Sequence, residues 1–116
     1  MPSFDRNERF ATAGVAEHHG EALSLDKIGD YLLPCVQGRK VDCFALTEPG
    51  AGSDANAIKT RAVRDGGDFV LNGSKHFISH AGHADFAIVF AVTGTYEHNG
   101  RQRNAVTSFL VDRDTP

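Results

Sequence analysis

The sequence has no tryptophan, one methionine, two cysteines and four prolines in its 116 residues. Two cysteines exclude a disulfide-stapled scaffold. Cys35 and Cys43 also fit no zinc-ligand spacing, so both are expected as reduced, small, buried apolar residues of a cytoplasmic protein. Long apolar runs are missing too: a stretch such as Phe86 to Val92 is far short of a bilayer span. The opening MPSFDRNERF has no apolar core of a signal peptide. Strong charge of either sign is absent: the net charge of -3 argues against nucleic acid or an anionic membrane as main partner. At 41% hydrophobic and 23% charged, the chain has the composition of a folded soluble domain, and its length allows one.

What is present is a change of character near Gly38. Residues 1 to 23 have weak periodicity and are expected to be poorly ordered or loosely helical. Ser24 to Gln37 has Leu25, Ile28, Leu32 and Val36 at helical spacing, Ser24 as N-cap and Gly38 in the C′ position, with Pro34 awkward in the last turn. Beyond it lie short strand-forming runs: Val41 to Leu46, Ile58 to Val63, Asp68 to Leu71, Lys75 to Ser79, Phe86 to Val92 and Thr107 to Val111. Gly66-Gly67 predicts a turn, Asn72-Gly73 a tight hairpin, and Thr95 to Asn104 a long hairpin loop. Phe86 to Val92 is nearly all apolar and is expected to be buried on both faces. The fold class is therefore mainly β: an antiparallel, barrel-like domain in meander order, preceded by an α-helix.

Phe44 to Ala55, FALTEPGAGSDA, contains G-x-G-x-x-A, one spelling of a dinucleotide-binding turn. That motif needs a helix behind it, and Asn56 to Arg64 alternates in strand fashion instead. The residues also suit a cradle on a sheet edge. Two glycines let backbone approach a ligand, successive N–H groups with a Ser hydroxyl suit a pyrophosphate, and Thr47 ends the strand with a hydroxyl to offer a flat polar ring. A surface loop rich in turn formers is the plain alternative.

CFALTEPGAGSD (Cys43 to Asp54) and LNGSKHFIS (Leu71 to Ser79), in this order, resemble the middle β-domain of the acyl-CoA dehydrogenase family. YLLPCVQGRK and TSFLVDRDTP add weaker support. The resemblance implies FAD as cofactor, an acyl-CoA substrate oxidised at its α,β C–C bond, and a homo-oligomer of longer chains. It divides the sequence into 1–38, the end of a helical region, and 39–116, a middle β-domain shortened at its C-terminus. It implies that Phe44, Ala45, Leu46, Thr47, Gly50, Gly52 and Ser53 line the flavin and its pyrophosphate, with Thr47 at the pyrimidine edge. Ser53 would also contact the acyl-CoA. Phe77, Ile78 and Ser79 would pack on the ring, the Ser79 hydroxyl toward N5. Position 77 is usually Trp in the family and position 79 usually Thr, and the aromatic at position 44 is often Tyr. The family's catalytic Glu lies in a C-terminal helical domain, so the general base is expected to be absent from this chain. The competing reading is a non-catalytic β-barrel module that binds a ligand or a protein.

His76, His80 and His83 cluster within one segment, where exposed loop histidines are the simpler reading than a metal site. As a substitute base Glu48 is the nearest carboxylate in the loop, but its position belongs to the loop frame. Arg101 and Arg103 fit a solvated face.

Overall fold

A computed structural model describes residues 4–11, 15–16 and 27–115. Among them a short π-helical turn, Ile28–Leu32, runs into the helix α1, Leu33–Val36. The described residues also form seven strands, two before the helix and five after it: β1 (Phe4–Ala11), β2 (Val15–Ala16), β3 (Asp42–Ala45), β4 (Arg61–Asp65), β5 (Asp68–Lys75), β6 (Phe86–His98) and β7 (Arg101–Asp112). They form one curled sheet in the order β1-β5-β4-β6-β7-β2, with β3 also paired to β6.

The mainly β class holds, but the sheet is mixed. β3 runs parallel to β6 from Asp42↔Phe86 to Ala45↔Val89, and β4 meets β6 in parallel at Arg61↔Val92. The remaining pairings are antiparallel. A near-continuous apolar strand is the kind that tolerates parallel neighbours, because both its faces are covered. In β6, Ala87, Val89 and Ala91 face one core with Phe69, Leu71, Phe109 and Val111, while Phe90 and Val92 face a second with Ala51 and Ile58. Phe69 meets Phe109 edge-to-face within the first of these cores, with centroids 5.2 Å apart. Burying a side chain like Phe109 contributes about 1.5–3 kcal/mol.

Four expectations change. Residues 4–11, expected loosely ordered or helical, form the edge strand β1 on β5. Asn72-Gly73 is not a hairpin but lies inside β5, and the turn before that strand is Gly66-Gly67, as expected. Thr95 to Asn104 is not a long loop. β6 and β7 continue to a two-residue turn at Asn99-Gly100, whose φ of 51° and 74° are both left-handed, as a type I′ turn requires. The helix is shorter than 24–37, and residues 24–26 lie outside the described ones. Pro34 stands in the first turn of α1, directly after the π-helical turn, and not in the last turn. Gly38, at φ 71°, is the C′ glycine. Leu32 and Val36 of the apolar stripe are exposed, Val36 to 76%. Tyr31 anchors the segment instead, edge-on to Phe86 at 4.8 Å. Burial, and then the Asp112 carboxylate, push its hydroxyl pKa up to about 12. No helix among the described residues is long and apolar enough to cross a membrane.

Candidate functional site

β3 delivers the first motif and β5 the second. The alternation of β3 buries Cys43 and Ala45 and turns Phe44 outward, 55% exposed, where its ring meets Phe90 at 4.8 Å. After Ala45 the chain leaves the sheet. Pro49-Gly50 makes a tight turn closed by Glu48 N–H to Ala51 O (3.0 Å) and Ala51 N–H to Glu48 O (3.1 Å). Asp54 Oδ1 then accepts Asn56 N–H (3.0 Å) and caps a single 3-10 turn, Ala55–Ala57. No helix follows the glycines among the described residues, so the dinucleotide-turn reading is excluded. Nothing lies within 4 Å of where a Cβ would stand on Gly50 or Gly52, so both leave open space.

The second motif ends β5 and turns sharply. Ile78 is 2% exposed and plugs the core, while Phe77 is thrown outward, 69% exposed, and Ser79 is exposed. Phe77 (φ 56°) and His80 (φ 69°) are both left-handed without being glycine, a conformation bulky residues adopt only when their surroundings impose it. The buried Ile78 lies between them. His80 Nδ1 lies 3.1 Å from His83 Nε2, and the His76 ring stands edge-on to Phe77 at 5.5 Å.

The fold brings the two motifs together. His76 N–H donates to Thr47 O at 2.8 Å. Lys75 Nζ donates to Leu46 O (3.0 Å) and to Glu48 Oε2 (2.7 Å), and both charged side chains are buried, Lys75 at 1% exposed. Glu48 Oε1 accepts Lys59 N–H (2.5 Å) and Oε2 accepts Thr60 N–H (3.1 Å). Burial alone would raise the Glu48 pKa, but the Lys75 ammonium and the Lys59 and Thr60 donors hold it below the usual carboxylate value. Burial pulls the Lys75 ammonium below its ordinary value against the opposing pull of Glu48. Thr60 in turn packs against Gly73, where a Cβ would stand 2.7 Å from Thr60 Cα.

Of the residues expected at the site, Thr47 is partly exposed, while Phe44, Gly50, Gly52, Ser53, Phe77 and Ser79 are exposed. Leu46 packs against the second core, and Ala45 and Ile78 are buried, so the last two can offer a ligand only backbone. What sequence reasoning missed is Lys75. It follows Phe69, Leu71 and Gly73 in the period of a strand, on the core side, and a lysine there needs a buried partner. Splitting β5 at Asn72-Gly73 concealed that parity.

The model of the acyl-CoA dehydrogenase middle domain matches residues 43–116. The chain belongs to the acyl-CoA dehydrogenase family. A short-chain-specific acyl-CoA dehydrogenase of Megasphaera elsdenii is 44% identical over 87 residues, 74% of this chain and 22% of that protein. The crystal structure of the acyl-CoA dehydrogenase from Geobacillus kaustophilus matches with a TM-score of 0.68 at 38% identity, over 80% of this chain and 24% of that one. The FAD complex of PigA matches with a TM-score of 0.69 at 35% identity, over 80% of this chain and 23% of that one. The chain thus spans about a fifth of the length of the curated relatives it matches.

Proposed function

We propose that residues 39–116 form the flavin-cradling part of a flavoenzyme that oxidises the α,β C–C bond of an acyl-CoA thioester. The observation that carries this reading is the junction of the two motifs. The bond from His76 N–H to Thr47 O sets a polar strand end beside an outward aromatic and an exposed hydroxyl, Phe77 and Ser79. A flat aromatic ring with a polar rim and a pyrophosphate tail needs those features: an apolar platform, hydroxyl and N–H donors at its edge, and an open glycine-containing loop. The residues present fit FAD on that basis. When bound, FAD supplies a hydride acceptor.

In this reading Thr47 orients the ring's pyrimidine edge, where fixed donors stabilise developing negative charge. Phe77 supplies the stacking face, with less area than an indole and no ring N–H. The Ser79 hydroxyl keeps a donor toward N5. The open backbone of Gly50 to Ser53 takes the pyrophosphate, and the Ser53 hydroxyl serves it or the acyl-CoA. Glu48 has no part in proton abstraction, because its carboxylate is held by Lys75 and by the Lys59 and Thr60 N–H groups. The base is assigned to no residue of this chain. Acyl-CoA, the remainder of a longer chain and a homo-oligomer are the partners that follow, and a cytoplasmic setting belongs to the same reading.

Titration of the purified chain with FAD tests the reading. Saturable quenching of flavin fluorescence is expected, weakened about tenfold by Thr47→Val through the lost hydroxyl bond. Emission unchanged at high protein concentration overturns it in favour of a non-catalytic binding module.

A further inference from the structure

The Lys75–Glu48 pair is built more elaborately than packing requires. Taking two charges out of water is costly, and an apolar pair of similar shape often serves stability as well or better. An apolar pair, however, directs nothing. Two consecutive residues of β5's end, Lys75 and His76, bond three consecutive residues of the other motif: Lys75 Nζ holds Leu46 O, His76 N–H holds Thr47 O, and Lys75 Nζ holds the Glu48 carboxylate. Glu48 passes the constraint on. Its oxygens take the N–H groups of Lys59 and Thr60, and Thr60 O accepts Val92 N–H at 2.7 Å on the central strand. Gly73 leaves the space that Thr60 occupies.

From this geometry we infer that Lys75 is a positioning residue for the cofactor loop: its buried ammonium fixes the residues on either side of Thr47 and so sets the direction in which Thr47 presents its hydroxyl. The inference rests on the reading of Thr47 as a flavin contact. It goes beyond that reading by making orientation depend on a side chain that touches no ligand. A lysine fits the task because its ammonium can serve a carbonyl and a carboxylate at once, which a single-donor side chain cannot.

The double variant Glu48→Gln/Lys75→Met removes both charges while keeping volume and one acceptor oxygen for the Lys59 N–H. Amide hydrogen exchange is read at His76 and Ala51, against Val89 and Phe109 of the core. Exchange at His76 and Ala51 is expected to quicken about tenfold, with core protection unchanged, as local opening of one clasp demands. In the same variant the visible circular dichroism of added FAD is expected to change and its affinity to fall about tenfold. A folded variant with unaltered protection at His76 and Ala51 overturns the inference, whether or not FAD binds. If the unaltered chain leaves FAD fluorescence unquenched while the selective loss at His76 appears, the clasp stands and the flavin reading falls. If the double variant does not fold, Lys75→Gln alone decides by the same readout, because its shorter side chain cannot span to both Leu46 O and the Glu48 carboxylate: quickened exchange at both amides supports the clasp, and unchanged exchange removes it.

Discussion

Asn72-Gly73 and Asn99-Gly100 are the same dipeptide, each set among strand-forming residues, and the chain uses them in opposite ways. At 99–100 both residues are left-handed, and nothing lies within 4 Å of where a Cβ on Gly100 would stand. The turn is local, exposed and chosen for backbone conformation. At 72–73 the chain stays within one strand, and Gly73, at φ 159°, leaves the space against which Thr60 presses. The first glycine answers a demand of its own backbone alone, the second also a demand of a residue far away in sequence. A dipeptide signal carries the first kind of information and is blind to the second.

The region around Gly73 is the more heavily braced of the two, and the sharpest break comes from its ion pair. Glu48→Ala leaves the Lys75 ammonium buried without its carboxylate and is expected to cost about 3–5 kcal/mol, read as a lowered urea midpoint at unchanged slope. Acid works on the same group. The Glu48 carboxyl titrates below its ordinary 4.5 in the folded chain, so the unfolded chain binds more protons in that window. Its contribution is complete above pH 4.5 and is lost as the pH falls through the lower folded value. Glu48→Gln is expected to flatten that acid limb in a pH series of unfolding midpoints, and an unaltered limb would remove Glu48 as its cause.

Gly73→Ala drives a methyl group into the Thr60 backbone and is expected to cost about 1–3 kcal/mol. Gly100→Ala places an ordinary residue in a left-handed turn and is expected to cost about 1 kcal/mol. If the two losses are equal in thermal denaturation, the distinction between crowding and conformation fails. The smallest contrast lies in the asparagines. Asn72→Thr, on an exposed position of an extended strand, is expected to stay within about 0.5 kcal/mol of the parent. Asn99→Thr puts a β-branched side chain at φ 51° and is expected to cost about 1 kcal/mol.

The same contrast separates what the sequence discloses from what it conceals. β6 is legible because its continuous apolar run fits only a strand covered on both sides. β3, the Gly66-Gly67 turn and the C′ role of Gly38 are legible because they rest on local chemistry. The parallel placement of β3 and β4 along the edge of β6 that β7 leaves free is not, since it depends on contacts between segments distant in sequence. β1 is concealed for a different reason. FDRNERFA has no apolar alternation, and its pairing with β5 is through backbone, which every residue carries. At the candidate site the exposed hydroxyls and aromatics are legible from the motifs, whereas the lysine beneath them becomes visible only once β5 is seen as one unbroken strand.

The parallel pairing of β3 also fixes an order of events during folding. β4–β5 and β6–β7 are hairpins whose partners adjoin in the chain, so closing them costs little loop entropy. Asp42–Ala45 must wait for Phe86–Val89, and Glu48 must wait for Lys75. Pulse-labelled hydrogen exchange should therefore find the amides of β6–β7 protected before those of β3. A protein made from its N-terminus onward will thus hold the residues of its first motif for some time before the parts that give them shape have been synthesised, leaving Phe44 and its neighbours available to chaperones in the interval.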